Sequence, residues 1–325
     1  MAGVQTRKGP RALLKPVWSK DSIQRQPDQP QGSGTLGLVT TRRCVMAKAM
    51  KVHLVIIDPQ KSFMDDADSS LPVPGANKDM DNVARMIKRI GKKVEDIHVT
   101  LDSHRVIDVG HPGMWRNQNG DSPAPFTMIS ADDIKNGIWR PRNEHMRLSE
   151  LDGKTLGEYM LAYVTKIKNS MVWPEHCVIG TPGHNVQANL MEALLDWERR
   201  EFMNVDYVVK GTNPFTEHYG ALMAEVPLPS DPSTGLNTSF LKIMNDADIV
   251  ALSGEALLHC LKTTVLQIIK NISPDLIKKL HLLTDCSSPV PAAPGDPDSR
   301  TVGDVWLREM EARGMNLTTS DAFLA

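Results

Sequence analysis

The chain has 325 residues, 41% of them hydrophobic, with 37 Lys and Arg against 39 Asp and Glu. That is enough to bury one large core or two small ones, and the near-neutral balance gives no reason to expect a nucleic-acid partner. No apolar run approaches the roughly 18–20 residues that span a bilayer, and four cysteines without a C-x-x-C pair make neither a disulfide framework nor a zinc ribbon.

Taken along the chain, the charge is uneven. Residues 1–50 hold nine Lys or Arg and two Asp or Glu, and include the run QRQPDQPQGSG with little apolar periodicity. This stretch reads as a basic, disordered leader. Met46 and Met50 are candidate starts, and organellar targeting by the leader stays open beside an expected cytoplasmic location. Residues 51–325 read as a single domain.

From Lys51 the pattern alternates. Val52–Ile57 is a short, β-branched apolar run ending at Asp58, which fits a buried strand. Lys78–Ile90 places Met80, Val83, Ala84, Ile87 and Ile90 on one helical face, with Gly91 as a stop. Ile97–Leu101 is a strand ending at Asp102. Residues 112–170 break the rhythm, being rich in Pro, Gly, Asn and charge up to about Arg147, and read as an insertion over the strand ends. Within and after it, Thr155–Lys168 and Val186–Phe202 are predicted helices. Tyr207–Val209 is a strand leading into Lys210. Asp248–Leu252 is a strand running through Ser253-Gly254 into a helix over Glu255–Ile272. Leu280–Thr284 and Val302–Arg313 supply one more strand and helix.

This order predicts an α/β fold, doubly wound, with a mostly parallel sheet and helices on both faces. Ligands in such sheets sit at the carboxyl ends of the strands. Asp58, Asp102, Lys210 and the Gly254–Cys260 turn all fall there, where packing alone has no need of charge.

Three constellations follow. Asp58, Lys210 and Cys260 could form a nucleophilic site, because a cation and a helix N-terminus favour the thiolate and a carboxylate can take its proton. Singly, each has an ordinary alternative: a packed cysteine in a Leu-rich helix, a turn aspartate. Asp102, His104, His111 and His176 suit a borderline divalent metal such as zinc, iron or manganese; solvated surface histidines are the alternative. Trp173, read as exposed beside His176, could wall a flat ring, or simply anchor a loop.

These pieces, in this order, resemble the nicotinamidase branch of the isochorismatase-like cysteine hydrolases. Ile57–Phe63 (I-D-P-Q-K-S-F) resembles the family's D-x-Q-x-x-F, and Asp102-Ser-His104 with His111 resembles its metal motif. Trp173–Gly183 (W-P-E-H-C-V-I-G-T-P-G) is close to its W-P-x-H-C-x-x-G-T-x-G. Val209–Thr212 (V-K-G-T) resembles its lysine motif. Gly254–Cys260 (G-E-A-L-L-H-C) resembles the elbow that carries its nucleophile.

The resemblance implies a Rossmann-like, three-layer fold and a metal-containing amidohydrolase. It would convert nicotinamide to nicotinate and ammonia for NAD salvage and pyridine nucleotide synthesis. Cys260 would be the nucleophile, Asp58 the acid/base and Lys210 the stabilising cation. The N–H groups of Ala256 and Cys260 would form the oxyanion hole, next to a cis bond at Glu255–Ala256. Asp102, His104 and His176 would hold the metal, zinc first and iron or manganese as alternatives, with His111 a fourth ligand. Phe63 and Trp173 would flank the substrate ring, with Tyr219 nearby, and Cys177 would not be the nucleophile. The partner is then a small-molecule amide, without nucleic acid or membrane, and a homo-oligomer is left open.

Three departures bear on the substrate. Leu258 stands two positions before the nucleophile where family nicotinamidases often carry Asp, His184 replaces the alanine usual after G-T-x-G, and 65 residues separate His111 from His176. A related amidase acting on another ring or small carboxamide is therefore the alternative, and a non-catalytic binding protein on the same fold a remote third.

Overall fold

The structure is a computed structural model that describes residues 50–272, 274–290 and 299–325. The expected leader therefore lies outside the described residues except for Met50. Ala49–Ala325 form one compact unit.

In chain order the strands and helices are β1 (Val52–Ile57), α1 (Ala76–Ile90), β2 (Asp96–Asp102), β3 (Trp115–Arg116), β4 (Met128–Ser130), α2 (Ala131–Lys135), β5 (Arg140–Pro141), α3 (Leu156–Ile167), β6 (Asn169–Met171), α4 (Ala188–Glu201), β7 (Asp206–Lys210), α5 (Thr238–Asp246), β8 (Ile249–Gly254), α6 (Lys262–Asn271), β9 (Leu280–Leu283), α7 (Ser299–Ala312) and β10 (Asn316–Thr318). Six strands form the central sheet in the order β10-β9-β8-β1-β2-β7, all parallel. The chain winds outward from β1 in one direction through β2 and β7, then returns to β8 on the other side and winds through β9 and β10. The order reverses between β1 and β8, and a crevice opens there at the carboxyl ends.

The centre of this sheet follows from its sequence. All six residues of β1 are buried, as expected for a strand covered on both faces. Leu54 and Ile56 face one core with Ile87 of α1 and Leu194 of α4. Val55 and Ile57 face the other with Met244 of α5, Ile268 of α6 and Trp306 of α7. Each fully buried Val, Leu or Ile contributes about 1.5–3 kcal/mol relative to exposure. The doubly wound, three-layer architecture is thus the one expected from the alternation.

Residues 112–171 form two small antiparallel sheets, β3-β5 and β4-β6, with α2 and α3 beside them. They carry a third core in which Trp115, Ile129, Met160 and Tyr163 are buried. Thr155 caps α3 with a reciprocal bond pair to Glu158.

One expectation is corrected. The segment after β8 does not run as a single helix from Glu255. The Glu255–Ala256 peptide is cis, Leu257–Leu261 form a wide π-type turn, and α6 begins only at Lys262. A 3.6-residue apolar period does not distinguish such a turn from the helix that follows it. Gly254 at its entry has φ +105°, and a Cβ there would collide with the Ile57 carbonyl oxygen. No helix among the described residues is long and apolar enough to cross a membrane.

Candidate active site

Register brings the polar residues together. Ile57, the last residue of β1, pairs with Gly254 of β8, so Asp58 and the Cys260 turn leave the sheet side by side. Asp102 and Lys210 are cross-strand partners at the ends of β2 and β7.

Lys210 is the hub. Its Nζ lies 2.9 Å from Asp58 Oδ2 and 3.0 Å from Asp102 Oδ1. It donates to the His218 carbonyl at 2.9 Å and stands 3.7 Å from Cys260 Sγ. All four functional side chains are buried. Burial alone would lower the lysine, but Asp102 and Asp58 outweigh it and hold the ammonium well above the usual lysine range. Burial raises Asp58, against the pull of Lys210. Thr100 Oγ1 donates to Asp58 Oδ1 at 2.5 Å and accepts from the Asp58 N–H at 2.9 Å, holding both side chain and backbone of a residue whose φ is +43°. Burial pushes the Cys260 thiol well up, against the pull of Lys210, and the charge of Asp58 pushes the same way as burial. Burial thus favours the neutral thiol, with the Lys210 ammonium beside both Cys260 and Asp58.

On the other side of Asp102 stands the histidine cluster. His104 Nε2 is 2.9 Å and His176 Nε2 3.4 Å from Asp102 Oδ2. The opposite ring nitrogens face outer acceptors: His104 Nδ1 is 3.1 Å from Asp108 Oδ2, and His176 Nδ1 donates to the Pro174 carbonyl at 2.8 Å. Inward nitrogens with outward acceptors are the arrangement that fixes tautomer and orientation in metal sites. Burial would lower His104, but Asp102 and Asp108 hold it well above the usual histidine range. A divalent cation could supply the positive charge that these carboxylates otherwise keep on the ring. The donor set of Asp102, His104 and His176, with ligand atoms within 4.8 Å of one another, fits such an ion. His111 is adjacent but outside that set. Its Nδ1 faces the Arg105 carbonyl at 2.8 Å, its Nε2 lies 3.3 Å from His176 Nδ1, and burial beside His176 lowers it to about 4.

The aromatic residues line a cavity of about 30 Å³ with Cys260 and Lys210 at its base. Phe63 packs on His176 with ring centroids 5.4 Å apart. Trp173, read as exposed from sequence, is buried: its Nε1 donates to Tyr219 Oη at 3.0 Å and its ring meets His259 edge-on at 5.3 Å. A partner 46 residues further on left no local signal. Ala256 borders the same cavity, and among the described residues its N–H donates to no acceptor.

Four residues of this region escape sequence reasoning: Asp108, Glu217, His218 and His259. Glu217 is buried near His104 and Asp108, and burial raises it to about 7. Only Asp108, four residues after His104, had a spacing that could have marked it. Cys177 is buried in the core on the α1 side with its thiol raised well up by burial. Cys286 is likewise buried, and Cys44 lies outside the described residues.

A doubly wound α/β fold with a cysteine, an acid and a lysine at its switch point defines the class. Among solved structures that fold is shared with yeast nicotinamidase Pnc1p bound to the inhibitor nicotinaldehyde: 17% identity, 82% of this chain and 99% of that one covered, TM-score 0.55. Nicotinamidase/pyrazinamidase of Acinetobacter baumanii matches at 18% identity over 85% and 100% of the two chains, TM-score 0.53. PnC1 of L. infantum in complex with nicotinate matches at 18% over 86% and 98%, TM-score 0.50. No protein-family model and no curated protein sequence matches the chain.

Proposed function

We propose that the protein is a cysteine amidohydrolase that cleaves a carboxamide on a small flat ring, with nicotinamide as substrate and nicotinate and ammonia as products. The observation that carries this reading is the Lys210 hub, 2.9 Å from Asp58 Oδ2 and 3.7 Å from Cys260 Sγ, at the base of an aromatic-lined cavity. Structures of the same fold hold nicotinaldehyde and nicotinate.

In the first half-reaction Asp58 takes the proton from Cys260 as Sγ bonds to the amide carbon. The carbonyl π pair moves to oxygen, where the N–H groups of Ala256 and Cys260 receive it; one such donor is typically worth roughly 3 kcal/mol. Asp58 returns the proton to the amide nitrogen, the C–N bond breaks, and ammonia leaves a thioester. In the second half-reaction Asp58 deprotonates a water that attacks the thioester, and the proton returns to the departing Sγ. Lys210 offsets the negative charge that moves between Asp58 and Sγ. Asp102, His104 and His176 would hold a divalent ion, zinc before iron or manganese, which supplies a Lewis-acid anchor for the ring nitrogen, directly or through water. Phe63 and Trp173 would confine the ring, and nicotinate as the product fits salvage of nicotinamide toward NAD.

A related carboxamide is the second reading. It is favoured by His259, whose Nδ1 is buried without a partner among the described residues, in a cavity that also presents Glu217 and His218. The deciding experiment is ammonia release from nicotinamide, pyrazinamide and a panel of small amides, with and without chelator. Turnover of nicotinamide that chelator suppresses supports the first reading. Turnover of another amide but not of nicotinamide, with metal supplied, overturns it in favour of the second.

A further inference from the structure

A second group of metal-ligating side chains lies at the opposite edge of the central sheet. His53 is near the start of β1, Asp96 and His98 at the start of β2, and Asp206 begins β7. His53 pairs with Asp96 and His98 with Asp206, while His98 faces Val55 across the β1–β2 ladder. Side chains two apart on a strand, and those of paired residues, share a face. All four therefore belong to one face, and the His98 ring there meets Phe240 of α5 edge-on at 5.4 Å. His98 is four residues from Asp102 along β2, roughly 13 Å at the rise of a strand.

His53 Nδ1 and His98 Nε2 face each other at 3.1 Å, with both residues buried. The second nitrogen of His98 lies 2.9 Å from Asp206 Oδ2. That carboxylate fixes the tautomer with the proton on Nδ1 and leaves the Nε2 lone pair aimed at His53. Asp96 Oδ2 stands 3.8 Å from His53 Nε2, the ring nitrogen opposite the one that faces His98. The side chains of Asp96 and Asp206 are 36% and 50% exposed, so the carboxylates stand at the mouth of a site whose imidazoles are inside. Tetrahedral zinc, with bonds of about 2.0–2.2 Å, spaces its ligand atoms roughly 3.3 Å apart. One ligand atom from each of His53, Asp96 and His98 lies within 4.8 Å of the others, and turning the His53 ring together with Asp96 would bring the set to that spacing.

We infer that His53, His98 and Asp96 form a second divalent transition-metal site, of zinc type, at the amino-terminal edge of the sheet, with Asp206 orienting His98. It joins β1 to β2, whereas Asp206 holds β7 to the same group. Its role is structural: all the candidate catalytic side chains stand at the other end of the strands. An imidazole-rich donor set with one carboxylate selects zinc, cobalt or nickel over magnesium and calcium.

The test is metal stoichiometry of the full chain, stripped with chelator and titrated with Zn²⁺ or, for its visible absorption, Co²⁺. Wild type is expected to bind two equivalents, with Asp102–His104–His176 as the other site. His98→Gln should lose one equivalent and keep ammonia release within twofold, whereas His104→Ala should lose the other. Should His98→Gln fail to fold, Asp96→Asn, about a third exposed at the rim, should weaken the same equivalent at least tenfold. Asp206→Asn should weaken it about 10–100-fold, as loss of an outer carboxylate does. The proposal is overturned if His98→Gln or Asp96→Asn binds as much metal, as tightly, as wild type. A single equivalent that His98→Gln removes and His104→Ala retains would instead support this site and sink the metal reading of the active site.

Discussion

Lys210 and Asp58 meet at 2.9 Å with side chains 1% and 0% exposed, and the same ammonium also reaches Asp102. One buried cation thus compensates two buried carboxylates. Removing one partner of a buried ion pair typically costs about 3–5 kcal/mol, because the remaining charge is stranded. Lys210→Met is therefore expected to lower stability by that amount in denaturant unfolding and to leave no measurable ammonia release. A variant of wild-type stability would show that the two carboxylates are already protonated in the folded chain.

The acid limb of the rate profile should report Asp58. Burial raises this carboxyl above the ordinary aspartate value, and only its ionised form can accept the Cys260 proton. Activity should accordingly fall as pH drops through a value above the usual carboxylate range. The Thr100 hydrogen bond favours the ionised form, so Thr100→Val should move the limb to still higher pH. A limb that stays put in kcat/KM profiles of this variant would remove Asp58 as the titrating base.

Cys260 and Cys177 are both buried thiols, but only Cys260 touches Lys210. Cys260→Ala should reduce turnover by about 10⁴-fold or more, the scale on which loss of a catalytic nucleophile acts, with fold and metal content unchanged. Cys177→Ala should keep turnover and instead lose stability, since its side chain fills the core on the α1 side. Normal ammonia release from Cys260→Ala would end the thioester mechanism.

How much of this was legible beforehand depends on the range of the interaction. β1, β2 and β8 could be read because central parallel strands are continuous apolar runs, and Asp58 and Asp102 followed as the polar residues at the ends of β1 and β2, with Lys210 at the end of the edge strand β7. Gly254–Cys260 could be read from its glycine and cysteine, but not its π-type turn, since five residues are too few to show a change of period. α5 escaped notice because only Phe240 and Met244 of its nine residues are buried, too few for a clear stripe. Asp108 and Glu217 were hidden for another reason. Their importance lies in their closeness to His104, and Glu217 reaches it across more than a hundred residues of chain.

Glu255, beside the cis bond, gives a stability prediction with a definite sign. Burial and the neighbouring Asp79 raise its carboxyl well above the usual range, so the folded chain holds a proton that the unfolded chain releases. Stability should therefore decrease as pH rises from the ordinary glutamate value toward the folded one. Glu255→Gln keeps an acceptor for the Ser288 N–H, which donates to Glu255 Oε2 at 3.2 Å. The variant should flatten this part of the curve when unfolding is measured between about pH 5 and 8. An unchanged slope would place the proton uptake elsewhere.

The insertion also bears on the site through Tyr163. Its ring is buried in the third core, and its hydroxyl accepts from the Glu217 N–H at 3.1 Å, one residue before the carbonyl that Lys210 grips. Tyr159 Oη likewise donates to the Phe215 carbonyl at 3.0 Å. Helix α3 thereby pins the loop that orients Lys210. Tyr163→Phe keeps the apolar packing but leaves a buried N–H unpaired, which costs about 1–3 kcal/mol. Because the loop rather than the nucleophile is loosened, kcat should fall several-fold while Cys260 stays reactive to a thiol reagent. Trp115→Ala, which empties the same core without removing the Tyr163–Glu217 contact, should cost more stability, about 3–5 kcal/mol, yet disturb kcat less among the molecules that remain folded. If Trp115→Ala slowed the folded enzyme as much as Tyr163→Phe does, the hydroxyl contact would not be what couples α3 to the site.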